Sequence, residues 1–253
     1  MAPSADTVPD TGASAGAATP VLEIRDLESG YNGTSVLRGL SLVVPSSSVV
    51  ALIGPNGVGK TTLLRTVSGL VRATRGSIRL DGADITQAKS HDRARRGICH
   101  VPEGRGVFRA LTVRENLVLQ SDPGKEQEAI ARATAAFPQL ESRMNQTAGT
   151  MSGGEQQMLA MAQAYVRDAR LILVDEASLG LAPVVVDIIF RFLGELASSG
   201  VSILIVDQYI TRALDMADYA YIMGRGEILS QGNAAEFNQE SIFEQYLGKG
   251  LDV

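Results

Sequence analysis

The sequence predicts an α/β protein: a mostly parallel sheet core, an antiparallel β subdomain and an inserted helical lobe. Three observations lead there. Two apolar runs, LILVD (171–175) and SILIVD (202–207), are separated by PVVVDIIFRFLGELASSG, which fits a crossover helix ending at Gly200. Strand, helix, strand at this spacing is how parallel strands buried on both faces are joined. A glycine-rich turn, GPNGVGKTT (54–62), links an earlier apolar strand to a segment with helical spacing. Strand-like runs then thin out over residues 89–165, where LTVRENLVLQ and KEQEAIARATAAF read as helices.

The elements follow in order. Residues 1–20 are small, polar and Pro/Gly-rich; with Asp6 and Asp10 and no apolar core they read as a disordered tail and not a secretion signal. Residues 21–253 read as one domain, with the lobe at about 89–165 inserted in it. VLEIRDLESGY reads as a strand, and SLVVPSSSVVALIG holds a second and a third. TTLLRTVSGLV reads as a helix with Leu63, Leu64, Val67 and Leu70 on one face. GSIRLDGADIT reads as a short strand and a turn at Asp81 and Gly82. YAYIMGRGEILSQG reads as a hairpin turning at residues 224–226, and SIFEQYLG as a short terminal helix. No internal repeat is visible.

Composition narrows the function classes. The chain has 253 residues, 45% hydrophobic and 20% charged, as expected of a globular protein with a sizeable core. A net charge of −5 gives no electrostatic case for nucleic acid as a partner. One cysteine, Cys99, excludes an internal disulfide and fits a reducing compartment. With two histidines, His91 and His100, it leaves too few ligands for a structural zinc site. The longest apolar runs are strand-sized, far short of the roughly 20 residues a spanning helix needs.

Three motifs carry chemistry. Gly54, Pro55, Asn56, Gly57, Val58, Gly59, Lys60, Thr61 and Thr62 fit G-x-x-x-x-G-K-[ST] between a strand and a helix. Glycines there let successive N–H groups point at phosphate oxygens, with the helix dipole behind them. Lys60 would reach the β- and γ-phosphates, and the Thr61 hydroxyl would ligate Mg²⁺. In LILVDE, two acids end a strand where ligands bind in parallel α/β sheets. Asp175 would hold the metal, and Glu176 would orient and polarise a water. In MSGGEQQMLAMAQAY, Ser152 to Glu155 fits a capping box. Gly153 and Gly154 lower helix propensity in its first turn, but would let a phosphate approach bare N–H groups. Gln156 and Gln157 read as solvated helix residues without chemistry.

GPNGVGKTT, SGGEQQ and LILVDE in this order, with a helical lobe between the first two, resemble an ABC-transporter ATPase subunit from about residue 21 to the end. The resemblance implies a P-loop NTPase fold of the ABC type, with ATP as substrate and Mg²⁺ as cofactor. It implies two such domains head to tail, the Ser152, Gly153, Gly154 and Glu155 helix of one closing on ATP held by the other's phosphate loop. Tyr31 matches the family's adenine-stacking aromatic. Glu103, in VPEGRGVF, stands where most members have a glutamine linking the nucleotide site to the lobe, and joins Thr61 and Asp175 as a metal-site residue. Ala177 stands where proline is usual, and residues 178–181 match the loop crossing the dimer interface. Gln208, in VDQY, stands where most members have a histidine on the γ-phosphate. Gln208 can donate a hydrogen bond but cannot carry charge or relay a proton, so its site is expected to be slow.

VPEGR, SGGEQQML, SLGLAP and the acid–Gln pair together resemble one branch, the smaller ATPase of branched-chain amino acid importers and its relatives for urea and short amides. That branch usually reads EQN where this chain has Asp207, Gln208 and Tyr209. It implies a peripheral subunit on the cytoplasmic face of the cell membrane. Its partners would be a second ATPase subunit in a heterodimer, two transmembrane permease subunits and an extracytoplasmic substrate-binding protein. VFRALTVRENL (107–117) would face the membrane partners, LTVRENL also reading as an amphipathic core helix. A soluble ABC ATPase usually pairs two cassettes or inserts a long coiled coil. An exporter's ATPase fits the Glu103 and Gln208 pattern less well. A non-enzymatic subunit would need damage at Lys60, Asp175 or Glu176, and all three are intact.

Overall fold

A computed structural model describes residues 20–104, 106–238 and 242. The chain opens with β1 (Pro20–Tyr31) and β2 (Thr34–Pro45), an antiparallel pair, then β3 (Val49–Ile53) and α1 (Lys60–Val67). β4 (Ala73–Leu80) and β5 (Ala83–Asp84) follow, then α2 (Ser90–Arg95) and β6 (Ile98–Val101). The helical lobe holds α3 (Val113–Val118), α4 (Glu126–Ala136) and α5 (Gly153–Val166). β7 (Leu171–Asp175), α6 (Pro183–Ser198), β8 (Ser202–Val206) and α7 (Ile210–Met216) return to the core. β9 (Tyr219–Gly224) and β10 (Glu227–Asn233) form the closing hairpin.

Two sheets result. One is antiparallel, in the order β2-β1-β4-β5; the other has six strands in the order β10-β9-β3-β8-β7-β6. In the second, β9, β3, β8, β7 and β6 are parallel and β10 alone is antiparallel. All residues of β3, β7 and β8 are buried, so these strands show no polar alternation. Side chains nevertheless alternate between two cores. Ala51, Ile172, Val174 and Ile205 face the core built with α5 and α6. Val50, Leu52, Leu173 and Leu204 face the one built with α1 and the antiparallel sheet. Tyr221 stitches the sheets: its hydroxyl accepts from the Val43 N–H at 2.9 Å and donates to the Val43 carbonyl at 3.2 Å.

Turn chemistry matches the sequence. Asp81 (φ 48°) and Gly82 (φ 76°) turn β4 into β5, and Arg225 (φ 50°) with Gly226 (φ 87°) turns the final hairpin, as two-residue turns of positive φ require. The crossover helix α6 stops before Gly200 in the left-handed region (φ 92°).

Three readings differ. Leu70 is not on the α1 face; it is 63% exposed and lies beyond the helix. Gly69 at φ 78° ends α1, with Leu70 N–H on the Arg65 carbonyl at 2.8 Å and Gly69 N–H on the Thr66 carbonyl at 3.1 Å, a Schellman closure that periodicity alone does not register. Within residues 89–165, β6 is a strand of the main sheet; half-buried Cys99 and His100 break its apolar run. Gln156 and Gln157 are buried, at 2% and 3% exposure, because α5 is buried on all sides from Gln156 to Ala164. The helix expected over SIFEQYLG lies outside the described residues except for buried Ile242, as does the N-terminal tail up to residue 19.

Candidate active site

Because β3, β8, β7 and β6 are parallel neighbours, their carboxyl ends meet along one edge. That edge carries the phosphate loop after β3, Asp207 after β8, Asp175 and Glu176 at the end of β7, and Glu103 after β6. Four segments distant in sequence thus share one crevice, where ligands bind in open α/β sheets.

The loop of residues 54–62 presses against the sheet at its start and opens outward in its middle. A side chain at Gly54 would meet the Met223 carbonyl at 2.6 Å, so only glycine lets the loop leave β3 there. Pro55, Asn56 and Gly57 are exposed, while Val58 packs into the core beneath. Gly59 caps α1 in the left-handed conformation (φ 112°), directing the first helical N–H groups into the loop. The Lys60 ammonium donates to the Gly54 carbonyl at 2.7 Å and the Pro55 carbonyl at 3.0 Å. Burial lowers its pKa, and the charges of Glu176 and Asp175 act the other way. Thr62 is buried behind it.

Thr61 and Asp175 meet: the Thr61 hydroxyl donates to Asp175 Oδ1 at 3.0 Å. Asp175 is 1% exposed. Burial pushes its carboxyl up to about 6, against the Thr61 hydrogen bond; Glu176 and Glu103 add to the rise and Arg65 opposes it. Glu103, exposed in the loop after β6, is therefore an electrostatic neighbour of Asp175. Among the described residues no three His, Cys, Asp or Glu side chains form a metal cage. A buried carboxylate beside a threonine hydroxyl suits Mg²⁺, which takes one or two carboxylates and completes its octahedron with water and substrate phosphates. Thr61 and Asp175 would hold it, with Glu103 adding charge nearby.

Glu176 sits at φ 48°, a left-handed conformation rare for a non-glycine residue. Its N–H is held by the Val206 carbonyl at 2.8 Å, which fixes the strained residue at the strand's end. Gln208 answers to it: its Nε2 donates to Glu176 Oε2 at 3.4 Å. The glutamine past the end of β8 reaches a carboxylate and not merely a backbone group.

Asp207 belongs to the acid–Gln pair of the sequence, which assigns it no role of its own. It is 7% exposed and accepts from the Ser178 hydroxyl, from the Ser178 N–H at 3.3 Å and from the Tyr209 N–H at 3.0 Å. This ties the loop of residues 178–181, with exposed Leu179, to the end of β8. The signal for a structural role was an acid after a buried strand, the pattern read at Asp175.

The second helix start stands apart, in the lobe. Ser152 and Glu155 form the expected capping box: the Ser152 hydroxyl accepts from the Glu155 N–H at 3.4 Å, and Glu155 Oε2 accepts from the Ser152 N–H at 2.9 Å. Ser152 is exposed, with Gly153 beside it. Gly154 has a packing reason as well, since a side chain there would meet Val185 of α6 at 2.8 Å. Tyr31, at the end of β1, is 41% exposed and so is not a core tyrosine. In residues 107–117, Val113 and Leu117 are buried whereas Phe108 is 51% exposed. Buried Asn116 organises the segment, accepting from the Phe108 N–H at 2.8 Å and from Gln163 Nε2 at 2.9 Å.

Comparison with known proteins agrees with this fold. The family model described as ABC transporter matches residues 37–179. The high-affinity branched-chain amino acid transport ATP-binding protein BraG of Pseudomonas aeruginosa is 40% identical over 86% of this chain and 95% of its own length. The probable branched-chain amino acid transport ATP-binding protein LivF of Archaeoglobus fulgidus is 38% identical over 87% and 94%. The lipopolysaccharide export ATP-binding protein LptB of Haemophilus influenzae is 35% identical over 90% and 98%. The solved ATP-binding subunit of an ABC transporter superposes with a TM-score of 0.79 at 26% identity, over 90% of this chain and 98% of that one. Matched along most of its length by the family model and by relatives well above 30% identity, the chain belongs to the ABC transporter family as one of its ATP-hydrolysing subunits.

Proposed function

We propose that this ATPase energises a membrane importer of branched-chain amino acids. Identity carries the reading: BraG at 40% and LivF at 38% are both named for that transport, and the export protein LptB follows at 35%. Urea and short amides are the alternative cargo. The partners are a second ATPase subunit, two permease subunits and an extracytoplasmic binding protein. The subunit sits peripherally on the cytoplasmic face of the membrane; no helix among the described residues is long and apolar enough to cross it.

In this mechanism the N–H groups of residues 54–62 and Lys60 hold the phosphates of ATP while Tyr31 stacks on adenine. Bound Mg²⁺ supplies charge that offsets the phosphate oxygens. Glu176 orients the attacking water and takes its proton, and Gln208 fixes the rotation of the Glu176 carboxylate. The Ser152 helix start of this chain closes on the γ-phosphate of ATP held by the second ATPase. Closing and reopening pass through Glu103 and residues 107–117 to the permeases.

The test is affinity purification of the tagged chain from gently solubilised native membranes, with leucine uptake measured in cells lacking it. Two permeases and a second ATPase, with uptake lost, support the importer. A lipopolysaccharide-export assembly, or unchanged uptake, overturns it.

A further inference from the structure

His100 is a residue for which the functional reading has no use. It lies on β6 opposite Leu173 of β7, and its side chain is 8% exposed. Its Nδ1 is 3.2 Å from the Ser68 hydroxyl at the end of α1, and its Nε2 is 3.9 Å from Asp175 Oδ2. Nε2 and Gln157 Nε2 are the buried side-chain polar atoms without a hydrogen-bond partner among the described residues. A buried ring nitrogen left unpaired is destabilising, so its placement calls for a reason.

Hydrogen counting supplies one. Nε2 faces a carboxylate oxygen, whereas Nδ1 faces a hydroxyl that can donate as well as accept. Asp175 accepts only, and its Oδ1 already takes the Thr61 hydrogen. A bare Nε2 would set one lone pair against another in a buried place. With the hydrogen on Nε2, the Ser68 hydroxyl supplies Nδ1. The carbonyls of Leu64 and Arg65, within 2.9 and 3.2 Å of that hydroxyl, keep their backbone donors Ser68 N–H and Leu70 N–H. The chain Ser68–His100–Asp175–Thr61 then runs beneath α1 from its last turn to its first.

We propose that His100 is a positioning residue for the carboxylate of the metal site: its Nε2–H closes on Asp175 Oδ2 and fixes the rotation that leaves Oδ1 to Thr61 and the cation. This rests on reading Asp175 as the metal's carboxylate. A closure of about 1 Å turns the present separation into a hydrogen bond, and catalytic hydrogen bonds commonly tighten in this way on ligand binding. Partners that orient metal-binding carboxylates commonly contribute 10–100-fold in metal affinity.

The test uses the full chain and the fluorescent nucleotide mant-ATP, titrated with Mg²⁺, with Mn²⁺ and with EDTA. The quantity read is the metal-dependent gain in nucleotide affinity. His100→Leu, which keeps apolar volume, is expected to cut that gain about 10-fold while leaving the EDTA affinity unchanged. His100→Gln, which restores an N–H, is expected to recover most of it. An unchanged gain in His100→Leu overturns the inference, as does an equal loss with and without metal, which marks plain disruption. Asp175→Asn separates the levels: if it keeps the full gain, the metal assignment itself fails; if it loses the gain while His100→Leu keeps it, only the role of His100 fails.

Discussion

Replacing Asp207 by alanine removes the acceptor that ties residues 178–181 to the end of β8. Three donors lose their partner: the Ser178 hydroxyl, the Ser178 N–H at 3.3 Å and the Tyr209 N–H at 3.0 Å. Ser178 is 1% exposed, so its donors cannot turn to water in place. A hydrogen bond to a charged acceptor contributes about 1.5–3 kcal/mol, and a buried donor left alone costs about 1–3 kcal/mol. Because the bonds share one carboxylate the terms do not add fully, and the expected loss is about 3–5 kcal/mol. Asp207→Asn keeps one acceptor oxygen and is expected to lose about 1–2 kcal/mol. Urea unfolding followed by far-ultraviolet circular dichroism reads both, since the chain has no tryptophan to report. If Asp207→Ala stays within about 0.5 kcal/mol of the parent, the latch contributes no stability and the reasoning fails. The magnitude is large against the roughly 5–15 kcal/mol by which domains are stable.

Three further outcomes are expected. Gln208→His places a group that can carry a proton beside Glu176, and the assembled complex should hydrolyse ATP at least about 10-fold faster; an unchanged rate would show that Gln208 does not limit turnover. Gly226→Ala forces a side chain to φ 87° and to within 2.0 Å of the Val36 carbonyl, costing about 2–4 kcal/mol; a thermal melt at the parent's midpoint would refute this. Burial pushes the Cys99 thiol up to about 11, so at pH 8 it should react with a disulfide reagent roughly 100-fold more slowly folded than in urea; equal rates would show the thiol to be open.

Much was legible in the sequence because the signals are local. The phosphate loop is a contiguous run whose glycines and lysine are dictated by one turn, and the capping box at Ser152 spans one helical turn. The crossover from β7 to β8 follows from strand and helix lengths alone. The Asp81–Gly82 and Arg225–Gly226 turns follow from the residues that tolerate positive φ. What the tertiary structure decided is which distant atoms meet. Parallel pairing of β3, β8, β7 and β6 brings Thr61 to Asp175, Gln208 to Glu176 and His100 to Asp175. None of these pairs has a sequence spacing to betray it. The burial of Gln156, the exposure of Leu70 and the role of Asp207 were settled in the same way. A side chain's type is written in the chain, but its partners are set by strand order and register, which depend on the whole core packing at once.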